Sequence, residues 1–226
     1  MKIVSLIPSA TEIITALNLS NNLVGISHEC DHPKEVLKLP KLTTSRIKTK
    51  QSSLKIDYEI KEILEQSLSV YEVKSDLLKR LDPDVIITQS QCSVCAVSLA
   101  EVEKCLIKFI NRKPLLIDLK PNTFEEVLKD INLVGKKLDK KLESYSLVKK
   151  IKNEINKIKE KTYKLKKKNV LCIEWIEPIM TAGNWVPQLV KFAGGKSFLA
   201  KSGRSSNFIE LDRINFNEAD IIIFMP

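Results

Sequence analysis

From Phe124 to Thr162 the apolar positions recur at steps of three and four only: Phe124, Val127, Ile131, Val134, Leu138, Leu142, Tyr145, Val148, Ile151, Ile155, Ile158 and Thr162. A spacing near 3.5 is that of one helical face, and over about 40 residues it predicts a single helix of roughly 60 Å. Such a helix is too long to pack on one small lobe, so a lobe is expected on either side of it; a free coiled coil with the stripe as its seam is the competing reading. Between Thr123 and Lys168 stand 15 Lys, no Arg and 7 Asp plus Glu, so this segment holds nearly all of the chain's formal charge of +9. Lysines without arginine on the polar faces of a helix read as a solvated surface, and no nucleic-acid partner is expected.

The flanks supply the lobes. Ile3 to Ile7 is a short apolar run broken by Pro8, Ser9 and Glu12 have capping-box spacing, and Leu23 to Ser27 is a second strand, which together make a parallel strand–helix–strand unit. Further strands are expected at Val70 to Val73, Val85 to Thr88 and Leu115 to Asp118, with helices at Asp57 to Gln66, Ser75 to Leu81 and Val97 to Ile110. Past the long helix, Val170 to Trp175 and Ile221 to Met225 read as strands, and Trp185 to Ala193 as a helix closed by Gly194 and Gly195. The expected organisation is an N-terminal α/β lobe over 1–120, a linking backbone helix over 121–166 and a partial C-terminal lobe over 167–226 with few strands for a sheet of its own. No apolar run is long enough to span a bilayer. With no export signal ahead of Lys2 and an odd five cysteines, the expected compartment is the cytoplasm, or the periplasm or cell surface if a signal has been removed.

In open parallel sheets ligands sit beyond the carboxyl ends of the strands. That rule selects Pro8 to Thr11, His28 to His32, Gln89 to Cys95 and Trp175 to Trp185. Three readings of these loops stand side by side. His28, Cys30 and His32, with Cys92 and Cys95 in a CxxC, have the donor types of a zinc or iron site or of a thiol-redox pair. Alternatively the cysteines pack as small apolar groups and Asp31-His32-Pro33 shapes a turn. In the third reading the loops contact an organic ligand, with Trp175 and Trp185 offering flat faces to it. No nucleophile elbow, phosphate-cradling glycine loop or Ser/His/Asp spacing is present, so an enzyme is not expected.

Four blocks carry a resemblance. IVSLIPSATEI (Ile3 to Ile13), VGISHECDHP (Val24 to Pro33), LDPDVIIT (Leu81 to Thr88) leading to CSVCAVS (Cys92 to Ser98), and IEWIEPIMTAGNWVPQLVKFAGG (Ile173 to Gly195) resemble the cobalamin-binding proteins of the class III substrate-binding superfamily, the helical-backbone metal receptors, in the branch without a signal peptide. The resemblance implies two Rossmann-like lobes with parallel sheets joined by a backbone helix, and a cobalamin, tetrapyrrole or related metal chelate held in an inter-lobe cleft without chemistry. It implies ligand contacts at Ser9, Ala10, Thr11, Glu29, Cys30, Asp31, Gln91, Cys92, Met180 and Trp185, and an ABC-type permease as partner to a monomeric binding protein. Members of the family continue past Met225 with a further strand and helix, so the second lobe is expected to be incomplete.

Overall fold

The computed structural model describes residues 1–66, 68–91, 99–106 and 113–225. β1 (Ile3–Ser5) leads into α1 (Pro8–Ala16). Proline in the first helical turn loses no hydrogen bond, and the residue before it, Ile7, is extended and offers no side-chain cap. The capping box expected at Ser9 and Glu12 therefore does not form: Pro8 starts the helix early and leaves Ser9 inside it. β2 (Leu23–Gly25), β3 (Thr43–Ser45), α2 (Ser53–Glu65), β4 (Tyr71–Val73), α3 (Ser75–Leu81), β5 (Val85–Gln89), α4 (Leu99–Leu106) and β6 (Leu115–Leu119) follow. Four strands form a parallel sheet in the order β2-β1-β5-β6, with Ile3, Val4 and Ser5 beside Val85, Ile86 and Ile87. β4 is not in it. It pairs antiparallel with β3, a strand that the apolar pattern of the sequence does not signal, in a separate two-stranded sheet.

α5 (Phe124–Lys137) and α6 (Lys141–Thr162) stand where one uninterrupted helix was expected. α5 opens on a reciprocal capping box: the Glu126 amide donates to Thr123 Oγ1 (3.3 Å) and the Thr123 amide donates to Glu126 Oε2 (3.1 Å). It ends where Asp139 turns left-handed (φ 56°) and the Lys140 amide donates back to the Gly135 carbonyl (2.7 Å), the bond of a Schellman stop. Aspartate tolerates that conformation without glycine, so the apolar spacing runs through the turn and conceals it. The stripe divides there: Ile131, Val134 and Leu138 are buried, whereas Leu142 is 80% exposed and Tyr145 51%.

The second half of the chain continues with β7 (Asn169–Trp175), β8 (Met180–Thr181), α7 (Val186–Phe192), β9 (Lys196–Ser197), β10 (Asn207–Phe208) and β11 (Ile221–Phe224). β7 is central. β11 runs parallel along one edge of it, and β9 (parallel) and β8 (antiparallel) share the other, with β10 beyond β8. The sheet is mixed because a connection as short as 176–179 can only return the chain antiparallel. As expected, α7 closes on Gly194, which is left-handed (φ 86°), with the Gly195 amide donating to the Val190 carbonyl (2.9 Å). All four residues of β11 are 39% exposed or more.

The chain divides into two compact units, Met1–Lys50 with Tyr58–Lys120 and Leu133–Ser144, and Gln51–Asp57 with Pro121–Asn132 and Tyr145–Pro226. Each has its own core. In the first, Val4, Leu6 and Ile86 meet Leu78 and Val102. In the second, alternate residues of β7 face opposite ways: Val170 and Cys172 meet Val190, and Leu171 and Ile173 meet Ile214. Each fully buried aliphatic side chain of this kind is worth about 1.5–3 kcal/mol.

Candidate functional site

The loops at the carboxyl ends of β1 and β2 are tied together by a line of buried polar groups. Ser5 donates its hydroxyl to the Ile7 carbonyl (2.8 Å), Thr11 donates to Ser5 Oγ (2.8 Å), and Cys30 Sγ lies 3.1 Å from Thr11 Oγ1. A hydroxyl has one proton to give. Since Thr11 spends its proton on Ser5, the Cys30 thiol must be the donor to Thr11. Burial also pushes the Cys30 thiol up from its ordinary range, which holds it protonated and unreactive. Thr11, Ala10 and Cys30 are almost completely buried, so they form the underside of these loops, and Ser9, Glu29, Asp31 and His32 are exposed above them.

His28 is held by Thr43. The His28 amide donates to Thr43 Oγ1 (2.9 Å), ring Nδ1 lies 2.7 Å from the same oxygen, and Ser27 Oγ is 3.0 Å from it. Glu29 Oε1 is 2.9 Å from Nε2, in a contact too oblique to satisfy that nitrogen as a hydrogen bond. A carboxylate facing Nε2 favours the proton there, which leaves Nδ1 to accept from the Thr43 hydroxyl. The ring also leans on Tyr71, with centroids 5.2 Å apart.

Burial lowers the His28 pKa, reinforced by Lys41 and Lys74 and opposed by Glu29. A base whose folded pKa lies below its unfolded value of 6.5 binds fewer protons when folded, so its effect on stability rises with pH. Stability is therefore expected to fall as pH drops from about 6.5 towards the folded pKa, and His28→Gln is expected to flatten that part of the profile. Urea midpoints between about pH 5 and pH 8 check this; parallel profiles for the two proteins would show that His28 does not contribute.

At the ends of β5 and β6, Ser90 donates to Asp118 Oδ2 (2.7 Å), Lys120 Nζ is 3.0 Å from the same oxygen, and Gln89 Nε2 donates to Gln91 Oε1 (3.2 Å). Cys92 and Cys95 lie outside the described residues. Among the described residues no three His, Cys, Asp or Glu side chains gather as a metal site would require. His28, Cys30 and His32 do not combine, because the Cys30 sulfur turns inward to Thr11 while His32 stands in solvent.

In the second unit the strand-end loop follows β7. Trp175 Nε1 donates to the Glu177 carbonyl (3.1 Å), across a turn with a cis Glu177–Pro178 bond. Glu174 accepts from the Ser206 hydroxyl, whose oxygen accepts from the Gly183 amide (3.0 Å). Met180, Trp175 and Trp185 are half-buried and Ile176 is exposed. Ser5, Thr43 and Ser206 complete these networks, and nothing in their sequence neighbourhoods signals it.

The sequence pattern of the periplasmic binding proteins matches residues 3–226. The chain belongs to the periplasmic binding protein family. It is 31% identical over 166 residues to the ABC transporter substrate-binding lipoprotein YvrC of Bacillus subtilis, a match that covers 74% of this chain and 43% of that relative. The chain thus spans less than half of the length of that relative. Three solved structures share the fold over 99% of the chain. They are a possible iron-binding (periplasmic solute-binding) protein from Staphylococcus epidermidis (TM-score 0.71, 21% identity, 76% of that chain), the vitamin B12 binding protein BtuF of Vibrio cholerae (0.69, 16%, 75%) and the heme binding protein HutB of Vibrio cholerae (0.72, 17%, 76%). Family membership overturns the cytoplasmic placement expected from the sequence. The thiols on which that placement partly rested do not report a compartment: Cys30 and Cys172 are free and buried, and a buried thiol packs as a small apolar group in any surroundings. Among the described residues no helix is long and apolar enough to cross a membrane.

Proposed function

We infer that this protein is the solute-binding component of an ABC-type uptake system and captures a metal chelate of corrinoid, haem or siderophore type without changing it chemically. The observation that carries the reading is the family match along residues 3–226, supported by a likeness in fold to a vitamin B12 binding protein, a heme binding protein and a possible iron-binding protein. The strand-end loops offer suitable contacts, with Ser9, Glu29, Asp31 and Gln91 in one unit and Met180 and Trp185 in the other. Thr11, Ala10 and Cys30 act beneath them by fixing the loop backbone.

Charge does not rank the chelates. The loop after β2 carries Glu29, Asp31 and His32, but Lys34 follows them and Lys41 Nζ donates to the Cys30 carbonyl (2.8 Å), so the propionates of a haem and the carboxamide N–H groups of a corrinoid both find partners there. The likeness of the four sequence blocks to cobalamin-binding proteins makes cobalamin the leading ligand. Both tryptophans of the chain lie on one strand-end loop, so their fluorescence reports binding directly. Titration with cobalamin, haemin and a ferric siderophore is expected to give saturable quenching, strongest with cobalamin and reduced in Trp185→Ala. Saturation with haemin alone would overturn the ranking, and no saturation with any of the three would overturn the function.

A further inference from the structure

The carboxyl end of α6 and the segment joining it to β7 carry ten lysines against two glutamates between Lys149 and Lys168. All ten are exposed. Among the described residues, the salt bridges of these lysines are Lys157 with Glu154 (2.9 Å) and Lys168 with Asp220 (3.1 Å). Lys159 Nζ lies over the Phe192 ring, 4.2 Å from its centroid. Lys161, Lys164, Lys166 and Lys167 crowd like charges into seven residues, an arrangement that costs stability unless an external polyanion neutralises it.

Two apolar side chains stand out among them. Tyr163 is 70% exposed and Leu165 61%, the former an aromatic that the charge count alone passes over. The segment is fixed at both ends. At its start the Thr162 hydroxyl donates to the Ile158 carbonyl (3.0 Å) and the Leu165 amide to the Thr162 carbonyl (3.0 Å); at its end the Asn169 amide donates to Asp220 Oδ2 (2.7 Å). Its exposed tips are therefore presented by a pinned backbone.

We propose that residues 157–168 form a docking surface for anionic phospholipid headgroups. Lysine clusters on a helix are attracted to such a surface, each adding about a fivefold gain in partitioning. Tyrosine and leucine between them can enter the headgroup boundary while lysine stems extend along it. Nucleic acid fits less well: the tract has no arginine for bidentate phosphate contacts, and one exposed aromatic is no stacking platform. The segment precedes the amino end of β7, whereas the Trp175–Trp185 loop follows its carboxyl end. Seven strand residues, about 23 Å at 3.3 Å each, separate the two, so lipid docking leaves that loop facing away from the bilayer.

Sedimentation with vesicles of phosphatidylglycerol and phosphatidylcholine, and with phosphatidylcholine alone, tests the proposal. Binding is expected only to the anionic vesicles and is expected to weaken steeply between about 50 and 500 mM salt. Reversing Lys161, Lys164, Lys166 and Lys167 together to Glu should weaken it at least a hundredfold, and changing the same four to Gln should weaken it by a smaller factor. Tyr163→Ser with Leu165→Ser should reduce binding while keeping its salt dependence. Equal binding to neutral vesicles, indifference to charge reversal, or retention on duplex DNA without retention on vesicles would overturn the proposal. Chelate titration of the charge-reversed protein should be unchanged, so failure of this surface and failure of the proposed ligand are separable.

Discussion

Gly183→Ala is expected to lower the stability of the second unit by about 3 kcal/mol. The methyl group would sit 2.4 Å from the Arg204 carbonyl oxygen, 2.5 Å from the Ser206 nitrogen and 2.6 Å from the Ser205 carbonyl carbon. All three are backbone atoms, so no rotamer relieves the clash. The 203–208 segment cannot retreat cheaply. The Asn184 amide donates to the Arg204 carbonyl (2.6 Å), the Gly203 amide donates to the Asn184 carbonyl (2.9 Å), and β10 is paired to β8. Moving it also parts Ser206 from the Gly183 amide and from Glu174. Urea unfolding followed by tryptophan emission reads this directly, since Trp175 and Trp185 flank the position. A midpoint within experimental scatter of the unsubstituted protein would show that the close approach is not rigid.

Gly135→Ala should destabilise the first unit by about 2–3 kcal/mol, against an intrinsic helix preference that favours alanine by about 1 kcal/mol. The added carbon would meet Ser144 Cβ at 2.3 Å, Ser144 Oγ at 2.4 Å and the Lys140 carbonyl at 2.8 Å. Ser144 is completely buried and its hydroxyl donates to the Lys141 carbonyl (2.9 Å), so the side chain is short, held and unable to swing away. Adding Ser144→Gly removes the two closest contacts and is expected to recover most of the loss. That gives a coupling of more than about 1 kcal/mol in a double-mutant cycle. Simple additivity of the two substitutions would mean that Gly135 matters through propensity and not through contact.

The parts of the fold that were legible in the sequence were those written in local chemistry. Short apolar runs mark β1, β5 and β7, bounded by Pro8, by Asp82 to Asp84 and by Lys166 to Asn169 respectively, and Gly194 with Gly195 marks the end of α7. The stop between α5 and α6 was hidden because Asp139 adopts a conformation for which glycine is the usual signal, and because apolar spacing counts residues without registering a turn. The capping box that forms, Thr123 with Glu126, has the same spacing as the one expected at Ser9 and Glu12. Proline at position 8 decides between them. At the candidate site the strand-end rule selects loops without separating inward from outward residues within them: Thr11 and Cys30 turn in towards Ser5, whereas Glu29 and Asp31 are exposed. Thr43 comes to His28 from a strand with no periodic pattern, so its part depends on tertiary placement alone.

β11 places Ile221, Ile222, Ile223 and Phe224 along one margin of the second sheet, and its only strand neighbour among the described residues is β7. Successive strand residues point to opposite faces, so Ile221 and Ile223 lie on the face of Val170 and Cys172, and Ile222 and Phe224 on the face of Leu171 and Ile173. A slip of one residue in the pairing of β11 with β7 would exchange the two pairs. Register is thus a property that the cores on the two faces of this sheet share, and neither can change it alone.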